Sequence, residues 1–272
     1  MFLMEPTLEL WLTVAAITSI FFGLFIALAV IICSRKRRTA KQLGGVERLL
    51  LVTAHPDDES MFFGPLIVNE IERGTDVYLL CLSTGDYYRE GSRRKAELLN
   101  ACRSLGIPAG NITVIQHGLL PDNPKKRWND RLVANLIYKY VTSLNCDTVV
   151  SFDHYGVTGH SNHVSIFDAL LYFFEDPAET GLKIDFRVFM LESVNILRKY
   201  SGLLDGAFGY LWPSTYVYLL TPDQRRKLDL AMTQHGSQLT WLRRLHCRFS
   251  RYMYVNTLNE LTEEKAETDK NE

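Results

Sequence analysis

Short, nearly continuous runs of apolar residues alternate along this chain with segments whose apolar residues recur at helical spacing. Uninterrupted apolar runs are typical of parallel strands that are covered on both faces. Their alternation with helices predicts a doubly wound, mostly parallel α/β sheet. The predicted strands are Leu49–Thr53, Asp76–Leu82, Ile112–Gln116, Asp147–Phe152, Arg187–Leu191 and Thr215–Leu220. The predicted helices between them are Ser60–Arg73, Gly91–Leu105, Arg131–Leu144 and Ser161–Glu175.

The C-terminal part of the chain has a different pattern. Asp223–Arg251 has helical periodicity and is rich in Arg, Trp and Leu. Two interpretations stay open: an amphipathic helix that lies on a membrane surface, or a packed helix with a solvated basic face. From Asn259 onward the sequence is acidic and polar, which predicts a frayed, flexible tail over residues 259–272.

The N-terminal region holds the longest apolar run, Leu10–Cys33, which contains no charged residue and no proline. A helix of this length spans about 36 Å, enough to cross a hydrocarbon core of about 30 Å. The alternative is a cleaved signal peptide, but such peptides have a basic start and a shorter apolar core. Here the acidic Glu5 and Glu9 precede the run, so we predict a single transmembrane helix.

Charges on the two sides of this run predict its orientation. The downstream flank Arg35–Arg38 is basic, and basic flanks stay on the cytoplasmic side of a membrane. We therefore expect a short lumenal N-terminus over residues 1–9, a basic linker over residues 34–45 and a cytosolic domain over residues 46–258. The alternative is that these bases only bind anionic headgroups, which would also place them on the cytoplasmic face.

Composition adds little to this picture, but it excludes some classes of protein. The 272 residues carry a net charge of −1, which favours neither a nucleic-acid-binding surface nor a disordered acidic chain. The cysteines are scattered without CxxC spacing, which predicts free thiols in a reducing compartment. They are Cys33, Cys81, Cys102, Cys146 and Cys247. A glycosylation sequon begins at Asn111 and should stay unmodified in a cytosolic domain.

The motif His55-Pro56-Asp57-Asp58-Glu59 directly follows a predicted strand and precedes a predicted helix. In doubly wound sheets this rim, near the switch point, binds ligands. One imidazole and three carboxylates are costly to place together unless a cation lies among them. His55 and Asp58 could converge on one ion, with Asp57 beside a bound water. The alternative is a polar turn in which Asp57 or Asp58 caps the next helix.

A second polar loop, residues 153–163, also follows a predicted strand and opens a predicted helix. His160 and His163 would face the same way if the helix begins there. Gly156 and Gly159 would let the loop approach a ligand closely. Two histidines and one aspartate with an open position suit a catalytic Zn²⁺, with iron or manganese as alternatives.

The strings AHPDDE and GHSNH together resemble the PIG-L/LmbE-like family of metal-dependent de-N-acetylases. The resemblance extends over about residues 46–258 and includes the N-terminal membrane helix, and it implies a Rossmann-like, LmbE-like sheet. Five further strings resemble the eukaryotic branch of the family: GDYY, GSRRKAEL, SVNILRKY, HGSQLTWLRRL and FSRYM.

This resemblance implies roles for individual residues. Asp57 corresponds to the general base, and His160, in its protonated form, to the group that stabilises the oxyanion. Arg94 matches an arginine that holds the polar head of the substrate in bacterial relatives. Thr158 departs from the pattern, because some bacterial relatives have an oxyanion-contacting tyrosine there and a threonine is too short to replace it. The implied ligands of a divalent metal, expected to be Zn²⁺, are His55, Asp58 and His163.

Other polar residues have two open interpretations each. His235 could contact substrate or lie solvated on a helix face. His154 could be a metal ligand or a loop residue, and Asp153 could orient the neighbouring histidines or form a turn. Arg198 and Lys199 could face a phosphate or belong to the general surface charge.

The function that the resemblance implies is hydrolysis of the acetamide of N-acetylglucosaminyl-phosphatidylinositol in glycosylphosphatidylinositol (GPI)-anchor biosynthesis. The implied location is the endoplasmic reticulum membrane, and the implied partners are this glycolipid and the bilayer, with no nucleic acid. Two alternatives remain at this point. One is a de-N-acetylase of another acetamido-sugar conjugate, and the other is a membrane-tethered scaffold without catalysis.

Overall fold

The structure, a computed structural model, describes residues 8–39, 41–174, 181, 184–202, 216–263 and 266. Its strands are β1 (Arg48–Thr53), β2 (Asp76–Cys81), β3 (Ile112–Val114), β4 (Thr148–Phe152), β5 (Arg187–Leu191), β6 (Tyr216–Leu219) and β7 (Val255–Leu261). They form one sheet in the order β3-β2-β1-β4-β5-β7-β6. Strands β1 to β5 are parallel, whereas β7 pairs antiparallel with both β5 and β6. The predicted doubly wound, mostly parallel sheet is therefore confirmed.

Helices cover the sheet on both faces. The α-helices in the described part of the chain are α1 (Leu8–Thr39), α2 (Asp58–Phe62), α3 (Gly64–Glu72), α4 (Gly91–Leu105), α5 (Asp130–Leu144), α6 (Gly156–Gly159), α7 (Ser161–Leu171), α8 (Ile196–Lys199), α9 (Pro222–Gln234) and α10 (Trp241–Phe249). Helices α3, α4 and α9 pack together, and α5 packs on α7. Right-handed crossovers place these two groups on opposite faces, because the chain reverses its winding direction after β3.

The switch point of the sheet lies between β1 and β4, the two central strands. Leu49 pairs with Thr148 and Leu51 with Val150, so the carboxyl ends of the two strands lie side by side. Leu49 and Leu51 are fully buried, and each such side chain contributes about 2 kcal/mol to stability. This arrangement brings the loop after β1 next to the loop after β4, where the two sequence motifs are found.

Helix α1 contains a stretch, Trp11–Leu28, whose mean hydropathy is 2.2 and of which no part is buried against the protein. By length and composition this stretch could cross a bilayer. The predicted start of the linker at residue 34 is wrong, because α1 continues up to Thr39. The peptide N–H of Val217 then donates to the Lys41 carbonyl at 2.9 Å, and Leu43 is fully buried.

The predicted helix Ser60–Arg73 is two helices, α2 and α3, separated at Phe63. The reason is Pro65 in the first turn of α3, because proline cannot donate to the carbonyl four residues earlier and its ring collides with that carbonyl. The carbonyl that loses this partner belongs to Met61, and it lies 3.2 Å from Nε2 of His246.

The predicted helical segment Asp223–Arg251 is likewise two helices. Helix α9 ends at Gln234, and α10 begins after Thr240, whose hydroxyl caps it by accepting from the Arg243 N–H. Between them Gly236 lies in a turn. Helix α9 packs on α3 and α4, as the packed-helix interpretation expects, whereas α10 exposes much of its surface.

Strand β7 has no counterpart among the predictions, and the frayed tail from Asn259 is wrong for its first three residues. Leu261 pairs with Val188 and Asn259 with Met190, so the domain extends beyond the predicted boundary at residue 258. The sequence pattern does not predict this strand, because its polar residues bond partners far away in the chain. The amide of Asn256, for example, donates to the Phe62 carbonyl at 2.7 Å.

Cys81, Cys102, Cys146 and Cys247 are free thiols, as predicted. Burial raises the pKa of the Cys146 thiol to about 12. Two predicted element ends, Glu175 and Thr215, lie outside the described residues.

Candidate active site

The loop that follows β1 is held by its own side chains. Oδ2 of Asp58 accepts the N–H groups of Ala54 and His55, at 3.0 and 2.8 Å. Asp57 has φ 117°, a conformation that non-glycine residues rarely adopt, and its N–H donates to Oε2 of Glu59 at 3.1 Å. Asp57 makes no side-chain capping bond to α2, so the alternative of a simple helix cap is wrong.

A buried ion pair supports this loop from behind. Nε2 of His235 lies 2.7 Å from Oε1 of Glu59, and both side chains are fully buried. Burial lowers the pKa of His235, but the Glu59 carboxylate outweighs it and the net direction is upward. Both predictions for His235, substrate contact and a solvated face, are therefore wrong. The turn after α9 points this side chain inward, toward the back of the motif.

The loop that follows β4 places two histidines at the start of α7. Nδ1 of His160 caps the helix by accepting from the Asn162 N–H at 3.2 Å. Nδ1 of His163 lies 2.9 Å from the Gly156 carbonyl. A Cβ atom on Gly156 would lie 2.6 Å from Cβ of His163, so this glycine makes room for the histidine and not for a ligand.

These contacts determine which imidazole nitrogens carry protons. His163 donates from Nδ1, which leaves Nε2 as a buried lone pair without a hydrogen-bond partner, 3.3 Å from Oδ1 of Asp58. Nε2 of His55 lies 3.0 Å from Oδ1 of Asn162 and 3.2 Å from Oδ1 of Asp122, so it donates. The lone pair of His55 is then on Nδ1, 3.7 Å from Oδ2 of Asp58.

The resulting donor set fits a divalent metal ion. Two imidazole lone pairs and one carboxylate converge, and ligand atoms about 2.0–2.1 Å from a tetrahedral zinc lie about 3.4 Å from one another. Ligand atoms of His55, His160 and His163 all lie within 4.8 Å of one another. Burial acts to raise the pKa of Asp58, but His163 and His55 in their protonated forms, together with the backbone N–H of His55, hold it well below its ordinary range.

His160 differs from the other two histidines of the cluster. Burial and the neighbouring imidazoles of His55 and His163 lower its pKa to about 4, so the ring is neutral near pH 7. This shift disfavours, in the free protein, the protonated form of His160 that the resemblance implies. Since Nδ1 accepts a backbone N–H, the neutral ring carries its proton on Nε2 and remains a hydrogen-bond donor.

Asp57 lies between two arginines. Oδ2 of Asp57 is 2.6 Å from Nη1 of Arg243, and Oδ1 is 3.6 Å from Nη2 of Arg94. The contact with Arg243 is an ion pair, but its angles are not those of a hydrogen bond. Burial raises the pKa of Asp57, against the opposing pull of Arg243 and Arg94. A carboxylate whose pKa is raised is a stronger base, and it is therefore suited to accept a proton.

Arg94 joins three loops of the site. Its Nη atoms donate to the Gly85 carbonyl at 2.8 Å, to the Pro56 carbonyl at 2.9 Å and to Oδ2 of Asp122 at 3.1 Å. Gly85 has φ 70°, and a Cβ atom there would lie 2.5 Å from the guanidinium carbon. Arg94 lies at the cleft, as the resemblance implies, but most of its donors are already used within the protein.

The cleft between the two loops has a volume of about 350 Å³. Its lining includes every predicted site residue except His235: His55, Asp57, Asp58, Arg94, His160 and His163. Thr158 also borders the cleft. Sequence analysis missed Asp122, Asn162 and Arg243. Asn162 stands inside the GHSNH string, so it could have been found, whereas Asp122 and Arg243 follow no spacing rule and reach the site only through the fold.

The remaining candidate residues lie away from the chemistry. Asp153 accepts the Ser193 N–H at 2.6 Å and also bonds its own turn, so it is a turn-forming residue. His154 is an exposed loop residue. Arg198 pairs with Glu192 at 3.7 Å, and Nζ of Lys199 donates to a backbone carbonyl of the loop after β4.

The sequence of this chain is similar to those of known proteins. The family described as PIG-L, GlcNAc-PI de-N-acetylase, matches residues 50–174. The chain is 44% identical to N-acetylglucosaminyl-phosphatidylinositol de-N-acetylase of Bos taurus, over 79% of this chain and 84% of that protein. It is 31% identical to a probable N-acetylglucosaminyl-phosphatidylinositol de-N-acetylase of Dictyostelium discoideum, over 79% and 93% of the respective chains.

Among solved structures, the fold is similar to that of N,N'-diacetylchitobiose deacetylase from Pyrococcus horikoshii. The TM-score is 0.58 at 15% sequence identity, and the match covers 97% of this chain and 96% of that one. At this identity the likeness concerns the fold alone.

Proposed function

Because the chain belongs to the PIG-L family of de-N-acetylases, we propose that it hydrolyses the acetamide of N-acetylglucosaminyl-phosphatidylinositol. The products are acetate and glucosaminyl-phosphatidylinositol. The relatives that are 44% and 31% identical are named for this reaction. The reaction belongs to GPI-anchor biosynthesis, and we place it at the endoplasmic reticulum membrane with the catalytic domain in the cytosol.

The observation that carries the reaction class is the position of Asp57 beside the converging donor atoms of His55, Asp58 and His163. These three residues would hold a divalent metal, with Zn²⁺ as the ion that the donor set suits best. When bound, the ion supplies Lewis acidity to water and to the acetamide carbonyl. In the folded protein Oδ1 of Asp122 accepts from Nε2 of His55, which leaves the lone pair of Nδ1 available to a metal.

The protein's own groups move the protons. Asp57 accepts a proton from the attacking water, and the same carboxyl returns it to the leaving nitrogen, so that one group acts first as base and then as acid. His160 donates its Nε2–H to the carbonyl oxygen as negative charge builds there. A neutral imidazole suffices for this role, as it needs only a donor. Thr158 borders the cleft but is too short to supply the missing tyrosine contact.

The membrane location follows from the substrate and from α1. A diacyl lipid substrate stays in the bilayer, and the stretch Trp11–Leu28 would confine the enzyme to the same plane. Confinement of both reactants to one surface raises their encounter rate without any added affinity.

The test is acetate release from N-acetylglucosaminyl-phosphatidylinositol in detergent, with and without a chelator. We expect Asp57→Asn to keep its metal content but to lose at least about a hundredfold in turnover, because it lacks the proton acceptor. Asp223→Asn is the matched control, since the Asp223 side chain is 82% exposed on α9 and should leave turnover unchanged.

Each other outcome has a defined meaning. A fully metallated Asp57→Asn protein that stayed active would disprove the role of this carboxylate. Folded, metallated wild type without acetate release would favour another acetamido-sugar conjugate. Protein that bound the lipid yet never released acetate would support the non-catalytic scaffold.

A further inference from the structure

Two short helices beside the cleft expose large apolar side chains to solvent. On α8, Leu197 is 82% exposed, and on α10, Trp241 is 69% exposed. Contiguous exposed apolar surface on a folded protein marks a site of contact with a partner or a membrane. We call the six residues that form this surface the apolar rim: Ile196, Leu197, Trp241, Leu242, Leu245 and Phe249.

Helix α10 exposes its apolar side, whereas an ordinary surface helix buries it. Its apolar residues at positions 241, 245 and 249 recur at helical spacing and point outward, with Leu242 beside them. Its inward side carries His246, which is buried, and Arg243, which contacts Asp57. Arg244 and Arg248 are exposed and flank the apolar side. Outward apolar residues flanked by long basic ones are typical of a helix that lies in a membrane interface.

Helix α8 lies next to the C-terminal end of α10. A Cβ atom on Gly202, shortly after α8, would lie 3.2 Å from the Phe249 carbonyl oxygen. Ile196 and Leu197 on α8 are 71% and 82% exposed, so α8 adds apolar surface near the exposed side of α10.

Both helices that form the rim also contact the catalytic loops. Arg243 of α10 lies 2.6 Å from Asp57, and Nζ of Lys199 on α8 donates to the Val157 carbonyl at 3.2 Å. A hollow of about 440 Å³ is lined by Ile196 and by Thr158, and Thr158 also borders the catalytic cleft. A headgroup that stays attached to membrane-embedded acyl chains could follow this path to the cleft.

We propose that the apolar rim inserts into the bilayer interface and holds the mouth of the cleft against the lipid plane. This inference rests on the proposed function, whose substrate is a membrane lipid. A bilayer is favoured over a protein partner because the chain is tied so closely to α1. Lys41, two residues after Thr39, is already bonded to β6, so only about 7 Å of chain separates the domain from the end of that helix.

The first experiment measures bilayer contact without turnover. The full chain is reconstituted into phosphatidylcholine vesicles with or without lipids brominated on the acyl chains, and tryptophan emission is compared between wild type and Trp241→Phe. We expect Trp241→Phe to remove a quenched component of the emission. If the quenched fraction is the same in both proteins, Trp241 does not reach the acyl chains, and the rim is a protein interface instead.

The second experiment measures what the contact does. In vesicles containing the lipid substrate, Leu242→Ser/Leu245→Ser/Phe249→Ser should lower the rate about tenfold, because the rim loses its apolar anchor. On an acyl-free analogue of the headgroup in solution, its rate should stay within about twofold of wild type. Leu230→Ser is the matched control, since Leu230 is 55% exposed on α9, outside the rim.

The outcomes separate this inference from the proposed function. Equal losses on the lipid and on the acyl-free analogue, or no loss on either, would overturn the role of the rim. A wild type that is inactive on both substrates would refute the proposed function, while the quenching of Trp241 would still decide whether the rim contacts the bilayer.

Discussion

At the scale of single residues, polar side chains of the site use one atom to bond the backbone and leave another atom facing the centre of the site. Asp58 accepts two backbone N–H groups with Oδ2 and presents Oδ1 to His163. His163 donates to the Gly156 carbonyl and presents a lone pair. Such side chains are oriented before any ligand arrives, so little ordering remains to be done when one binds.

Arg243 is the residue whose role is easiest to isolate. Removing its guanidinium leaves Asp57 buried with a weaker cationic partner, so the pKa of Asp57 should rise further. Because the base must be deprotonated, we expect Arg243→Ala to move the acidic limb of the pH–rate profile to higher pH and to lower kcat about tenfold at pH 7.

Arg243→Lys should restore part of this loss, since it retains the charge. Arg226→Ala is the control, because that side chain is 75% exposed on α9. An Arg243→Ala protein with an unshifted pH–rate profile would refute the coupling between these two residues.

At the scale of elements, the break between α2 and α3 ties the motif to α10. Pro65 removes the helical partner of the Met61 carbonyl, and Nε2 of His246 bonds that carbonyl at 3.2 Å. The His246 ring also packs edge-on against Phe62, with ring centres 5.7 Å apart. Helix α10, which carries most of the apolar rim, is thus attached to α2, the helix that begins within the His55–Glu59 motif.

This attachment predicts a dependence of stability on pH. Burial lowers the pKa of His246 from 6.5 to about 4, so in that range the unfolded chain binds more protons than the folded one. The free energy of unfolding should therefore fall as the pH is lowered from about 6.5 to about 4, by up to about 3 kcal/mol from this residue.

His246→Gln keeps an N–H donor but cannot titrate in this range. Chemical unfolding of both proteins in detergent should show that the stability difference between wild type and variant changes with pH over this interval. Parallel pH profiles would show that His246 does not carry this dependence.

At the scale of the whole molecule, the apolar helix and the catalytic domain are joined by a short connection. The chain passes from α1 to the edge of the sheet, where Leu43 is buried and its N–H donates to the Tyr218 hydroxyl at 3.0 Å. A glycan at Asn111 is a poor test of orientation, because its side-chain amide donates to the Val77 carbonyl at 3.1 Å in the folded domain.

Topology is better tested at the N-terminus. In sealed microsomes we expect an added N-terminal sequon to be glycosylated and the domain to be digested by external protease, because a basic flank such as that of α1 favours the cytosolic side of a membrane. Detergent-permeabilised microsomes control for protease access. An unmodified sequon together with a protected domain would reverse the proposed orientation.

The sequence by itself determined the parallel sheet, the ends of most elements and the two histidine loops at the switch point. It could do so because burial of a strand or a helix face is encoded in local periodicity, and because the carboxyl ends of parallel strands lie at the same edge of the sheet. Only the tertiary structure decided the position of His235 behind Glu59, the contact of Arg243 with Asp57 and the pairing of β7. These depend on partners far apart in the chain, 176 residues for His235 and Glu59, and no local pattern encodes such a distance.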